Sequence, residues 1–179
     1  MRNAKEVSTK EVYEVIPQGE TLLCLESARQ KDVFFAGGGT SYRLKDGNAK
    51  LFAFCFDGSL EVISSMVLRN ESGASESMGV SCMTRIAETD TILVGTNSNL
   101  FVVEFHHNNK TPNASHFGMI HRFPGVHSWL ITSIDYHIDV KTNCLEAYSV
   151  SRKDQHLTKI VLQNFKSHIP ASTPTPNLL

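Results

Sequence analysis

Short apolar runs separated by turn residues recur from one end of the chain to the other, and no other feature constrains its fold so tightly. "EVYEVI", "TLLCLES", "DVFFAG", "KLFAFCF", "SLEVISSMVL", "VSCMTRI", "TILVGT", "LFVVEF", "GMIHRF", "WLITSIDYH", "CLEAYSVS" and "LTKIVL" either alternate in polarity or are largely apolar throughout. They are rich in Val, Ile, Phe, Leu and Thr, whose side chains suit a pleated surface. Between them stand Asp46-Gly47-Asn48, Asp57-Gly58, Asn97-Ser98-Asn99, Asn108-Asn109 and Pro124-Gly125. Strand-length runs punctuated by such turns predict an all-β fold. No segment carries a sustained helical period with caps.

The runs are also duplicated. Setting Cys24 on Cys82, a displacement of 58 residues, lays "LLCLESARQKDVFFAGGG" over "VSCMTRIAETDTILVGTN" without a gap. Asp32 then falls on Asp90, and Gly37 on Gly95. A third, looser copy begins at "WLITSIDYH". Each copy is strand–turn–strand–turn–strand, and a fourth strand joins it to the next. A four-stranded unit repeated at this spacing is a propeller blade. The prediction is a partial or incomplete β-propeller of about three four-stranded antiparallel blades, since closed rings use roughly 4–8. The blades occupy 11–165, after a flexible N-terminus at 1–10 and before a Pro/Ser/Thr-rich tail at 166–179. A set too small to close exposes strand edges, which invite pairing. Other protein subunits, or further copies of this chain, are therefore the expected partners.

The third copy resembles a WD40 repeat. "GVHSWLITSID" is similar to that family's Gly-His turn leading into the first blade strand. "SVSRKDQHLTKIVL" is similar to its Ser-x-Ser-x-Asp-Gly turn and following strand. Val126 interrupts the Gly-His pair, Gln155 replaces the turn glycine, and Val161-Leu162 stand where Trp-Asp would end the strand. The resemblance implies that His127 bonds a Ser or Thr and a buried Asp, locking one blade to the next, with Asp135 or Asp154 supplying the carboxylate. A narrower likeness, over about twenty residues, is to Sec12-type exchange factors, the ER-membrane propellers that activate the small GTPase of COPII budding. Ala36-Gly37-Gly38-Gly39 and Asn48 carry it. It implies a loop that engages a GTPase.

Chemistry-bearing motifs are otherwise sparse. A phosphate-binding loop feeds its glycines into a helix N-terminus, whereas Gly37, Gly38 and Gly39 feed "KLFAFCF", another strand. They are expected to be structural, with Gly95 their counterpart. No GxSxG or HExxH is present. Asp32, Asp57 and Asp90 lie in turns, where Asp bonds its own backbone. Cys24, Cys55, Cys82 and Cys144 form no CxxC and lie in apolar runs, so they read as reduced, buried side chains and no metal is expected. No cofactor motif is present. Tyr42, Arg43 and Lys45, with Asn48 and Trp129, are the candidate partner-binding residues, because mixed aromatic and cationic side chains suit protein contacts.

A net charge of −1 and scattered cations such as Arg2, Lys5, Lys153 and Lys159 argue against nucleic acid. No run approaches the ~18 apolar residues of a membrane helix. "MRNAKEVSTKEVYEV" lacks the apolar centre of a secretory signal. The sequence therefore predicts an intracellular, cytoplasmic or nuclear, non-enzymatic scaffold within a complex. Its alternative is a regulator of a small GTPase in vesicle trafficking.

Overall fold

The computed structural model describes residues 20–40, 48–70, 72–74 and 79–165. Strands β1 (Glu20–Ser27), β2 (Val33–Thr40), β3 (Ala49–Phe56) and β4 (Leu60–Val67) form one antiparallel sheet in that order. Strands β5 (Cys82–Arg85), β6 (Thr91–Gly95), β7 (Leu100–His106) and β8 (His116–Phe123) form a second. The third contains β9 (Ile131–Asp139), β10 (Cys144–Ser151) and β11 (Leu157–Leu162). A short 3-10 turn, Pro112–Ala114, is the sole helical element among the described residues. Among them no helix is long and apolar enough to cross a membrane. No sheet closes into a barrel.

The sheets stack face to face in a propeller-like fan. β1 lies against β5 and β5 against β9, so the first strand of each sheet lines one common edge. β4 and β8 meet at the opposite edge. The middle sheet is covered on both sides, which is why its strands read as continuous apolar runs. Period-2 alternation divides those runs cleanly. Ile92, Val94, Phe101, Val103 and Phe105 face the first sheet, where Phe35, Leu51, Ala53 and Ile63 meet them. Leu93, Leu100 and Val102 face the third, against Ile131, Ile134, Leu145 and Ala147.

The duplication is geometric as well as sequential. Cys24 pairs with Gly37 across β1–β2, and Cys82 with Gly95 across β5–β6. Ala28 N–H donates to Val33 O, and 58 residues on Ile86 N–H donates to Thr91 O. Phe56 N–H donates to Asp32 O, as Phe105 N–H donates to Asp90 O. Between sheets, Val80 N–H reaches Gly38 O, and Ile131 N–H reaches Thr96 O. The third sheet carries three strands where the first two carry four, and β11 holds its outer edge.

The glycines owe their places to these contacts. A Cβ on Gly37 would strike Val80 and lie 2.8 Å from Cys24 Sγ; one on Gly95 would lie 2.7 Å from Cys82 Sγ and 3.0 Å from Ile131. Gly38 and Gly39 pack directly on the carbonyls of Thr21 and Asn48. All four cysteines are free thiols, but they are partly rather than fully buried.

Candidate functional site

A connected polar cluster lies where the second sheet hands over to the third. Pro124-Gly125 turns the chain out of β8, with Gly125 at φ 61°. Gly125 N–H is held by Asn99 Oδ1 at 2.8 Å, and His127 N–H by Ser98 O. These bonds anchor the turn to the β6–β7 connection and drive His127 inward.

The His127 side chain is 0% exposed. Its Nδ1 lies 2.7 Å from Asp154 Oδ2, and its Nε2 lies 3.0 Å from Ser149 Oγ. Ser128 closes the group: its N–H donates to Asp154 Oδ2 at 3.0 Å and its hydroxyl to Asp154 Oδ1. Those donors, the Ser128 hydroxyl first, pull the Asp154 carboxyl down to about 2. The His156 ring stacks on His127 at 5.4 Å between centroids. Asp154 precedes β11 and Ser149 lies on β10, so one imidazole ties the inter-sheet turn to two strands of the third sheet. Asp135 takes no part. It is exposed on β9, where its carboxylate accepts the N–H of Tyr136.

Ser149, His127 and Asp154 have the order and distances of a nucleophile–base–carboxylate chain. Access decides what they can do. Ser149, on the central strand of the third sheet, is 1% exposed. Ser149 Oγ faces His127 rather than solvent, so the three side chains link the inter-sheet turn to β10 and β11. His127, Asp154 and His156 also place ligand atoms within 4.8 Å of one another, a spacing that could hold a cation. Both His127 nitrogens and both Asp154 oxygens are already engaged, however.

The remaining candidates disperse. Trp129 is half-buried at the approach to β9, with Lys153 Nζ 3.8 Å from its ring centroid, a cation–π contact within the turn pair. Asn48 is half-buried beside Gly39. Tyr42, Arg43 and Lys45 lie outside the described residues.

Sequence reasoning missed the clasp at Asp90. Rather than serving only its own turn, the Asp90 carboxylate accepts Arg29 N–H at 3.1 Å and Gln30 Nε2–H at 2.7 Å from the first sheet. At the position 58 residues on from Arg29, Ala87 N–H donates to the Tyr136 hydroxyl of the third sheet at 2.6 Å. The duplication flagged both turns; nothing in it said which neighbour would answer. Cys24 and Cys82 repeat the theme, their thiols pointing to Val80 O and Ile131 O of the next sheet. Burial, foremost, pushes Cys24 up to about 12 and Cys82 to about 11.

No protein-family model matches the chain, and no curated protein matches it.

Proposed function

We propose that the chain is a non-enzymatic protein–protein interaction scaffold of WD40-like design, working as an intracellular subunit of a larger complex. The observation that carries this reading is the outer edge of the third sheet. The first two sheets close their outer side with β4 and β8; here β11 ends the sheet among the described residues. Leu157 and Val161 stand 61% and 45% exposed on that strand. Among the described residues no strand pairs with the outer edge of β11, and a strand of this kind takes up a further strand from a partner, with main-chain bonds giving affinity and side-chain pockets selectivity. The locks at His127, Asp90 and the cysteines hold the sheets rigid, as a platform for docking requires.

The test is capture of a partner by the intact chain and by Leu157→Lys/Val161→Lys. The wild type should hold a stoichiometric partner that the variant loses while keeping its Tm. Equal capture by both, or a wild type that sediments alone as a cooperative monomer, overturns the reading. Nucleotide exchange on a small GTPase stands second. Backbone packing accounts for Gly37, Gly38 and Gly39, which leaves Asn48 as its support. Release of nucleotide that disappears in Asn48→Ala would reverse this order.

A further inference from the structure

The outer strands of the first two sheets share one irregularity. β3 and β4 slip register between Ala53 and Phe54, and β7 and β8 slip between Val102 and Val103. Each slip leaves one residue of the outer strand without a register partner, Ile63 on β4 and Ile120 on β8. The two isoleucines hold equivalent places, but their surroundings differ. Ile63 is 5% exposed, in the core cluster that β8 completes with Phe117. Ile120 is 42% exposed.

The difference traces to the third sheet. Phe165 N–H donates to Asn143 O as Phe105 N–H donates to Asp90 O, so Phe165 holds the place of Phe105. Leu162, paired with Leu145, holds that of Val103, paired with Ile92. Asn164, at φ 56°, absorbs one extra residue between them. Phe105 pairs with Phe117 on β8, and their rings lie 5.0 Å apart. Among the described residues no strand stands in the matching place beside β11. Ile160 and Leu162 are accordingly half-buried, where Phe101 and Val103 are fully buried. Ile120, Leu162 and Phe165 instead border an open groove of about 440 Å³, with Glu104 and Asn164 as polar neighbours.

We propose that this groove receives an aromatic side chain from an extended segment of another protein, which pairs antiparallel with β11 as β4 pairs with β3 and β8 with β7. The inference rests on the scaffold reading and names what the open edge takes up. The ring occupies the place that Phe117 occupies in the second sheet, beside Phe165 and over Ile120. The groove continues the apolar joint already formed between the second and third sheets, so a ring seated there extends an existing core. Main-chain pairing along an edge with one pocketed side chain is the strand-addition mode of recognition. A second copy does not fit. The second sheet is one strand wider than the third, and β8 lies beneath the open place. A copy joined β11 to β11 would bring its own β8 into a layer that β7 and β8 already fill.

The chain supplies its own probe, a synthetic peptide of residues 115–124 that carries β8 and Phe117. Added to the full chain, it should slow hydrogen exchange at the β11 amides that do not bond β10. Phe117→Ala in the peptide, or Ile120→Asp in the protein, should each weaken binding roughly tenfold or more. Ile120→Asp should keep the wild-type Tm, since the side chain it replaces is exposed. No binding, binding that leaves β11 unprotected, or unchanged binding with the altered peptide overturns the proposal. So does slow exchange at those amides without peptide: independent of concentration, it assigns the edge to a segment of this chain; rising with concentration, to a second copy. Partner capture keeps this inference distinct from the scaffold reading. A partner lost by Leu157→Lys/Val161→Lys but held by Ile120→Asp keeps the scaffold and removes the pocket. A wild type that captures no partner removes both.

Discussion

At the scale of single residues, the His127 group is a closed set of buried polar atoms, whereas Glu20 Oε2, Gln30 Oε1, Asn97 Oδ1 and Ser151 Oγ are buried without hydrogen-bond partners. Ser149→Ala would leave the His127 Nε2 buried without a partner, a cost of about 1–3 kcal/mol, read as a Tm lower by several degrees. A serine-directed fluorophosphonate should fail to label Ser149 in the native chain. Labelling there would show that the seal opens and that the lock is an active site. Asp154 gives a pH signature. Its carboxyl titrates at about 2 when folded against an ordinary 3.8. The native state thus holds the charged form more tightly, and that stability, present above about pH 4, drains away as pH falls towards 2. Asp154→Asn should flatten this acid limb in a Tm-versus-pH series. Cys24 and Cys82 act at the other end. Their folded values lie above the ordinary 9.0, so unfolding releases their protons more readily as pH rises past 9, and stability falls. His127 and Asp154 were legible from the "GVHSW" and "SRKDQ" turns. Asp135 was not separable from Asp154, because only the register of β9 shows its side chain turned outward.

Strands and turns were the most legible level, since period-2 runs bounded by Asn, Asp and Gly leave few alternatives. The partners of each strand were half legible. The displacement of 58 residues gave the equivalence of Cys24–Gly37 with Cys82–Gly95, but not the reason for it. The reason is space: each cysteine Sγ and a residue leading into or opening the next sheet's first strand, Val80 before β5 and Ile131 on β9, occupy the volume a Cβ would need. Gly95→Ala should therefore destabilise by about 1–3 kcal/mol through overpacking. Cys82→Ala removes the nearer obstacle, at 2.7 Å, and leaves Ile131 at 3.0 Å. The double variant should be more stable than the sum of the two single changes, because residues in contact do not add. Urea midpoints of the four proteins decide this; strict additivity would mean that the backbone, not the thiol, sets the limit.

For the whole molecule, the middle sheet is the joint. Alternation along β6 and β7 sends Val94 and Phe101 towards the first sheet and Leu93 and Val102 towards the third. That division was implicit in the runs "TILVGT" and "LFVVEF". Which face met which neighbour was not, since an all-apolar run carries no polar side to orient it. The stack should behave as a row of units coupled through nearest-neighbour interfaces. Phe101→Ala removes a ring that is 0% exposed from the joint of the first and second sheets, costing about 3–5 kcal/mol. Leu145→Ala, on β10, empties the joint of the second and third at about 2–5 kcal/mol. Hydrogen exchange should separate the two. Leu145→Ala should speed exchange in β9, β10 and β11 while β2 and β3 keep their protection; Phe101→Ala should speed it in β2 and β3 first. If both variants raise exchange equally in all three sheets, the molecule opens as one cooperative body. The sheets would then stand or fall together, and no end of the stack could loosen to meet a partner while the other remained folded.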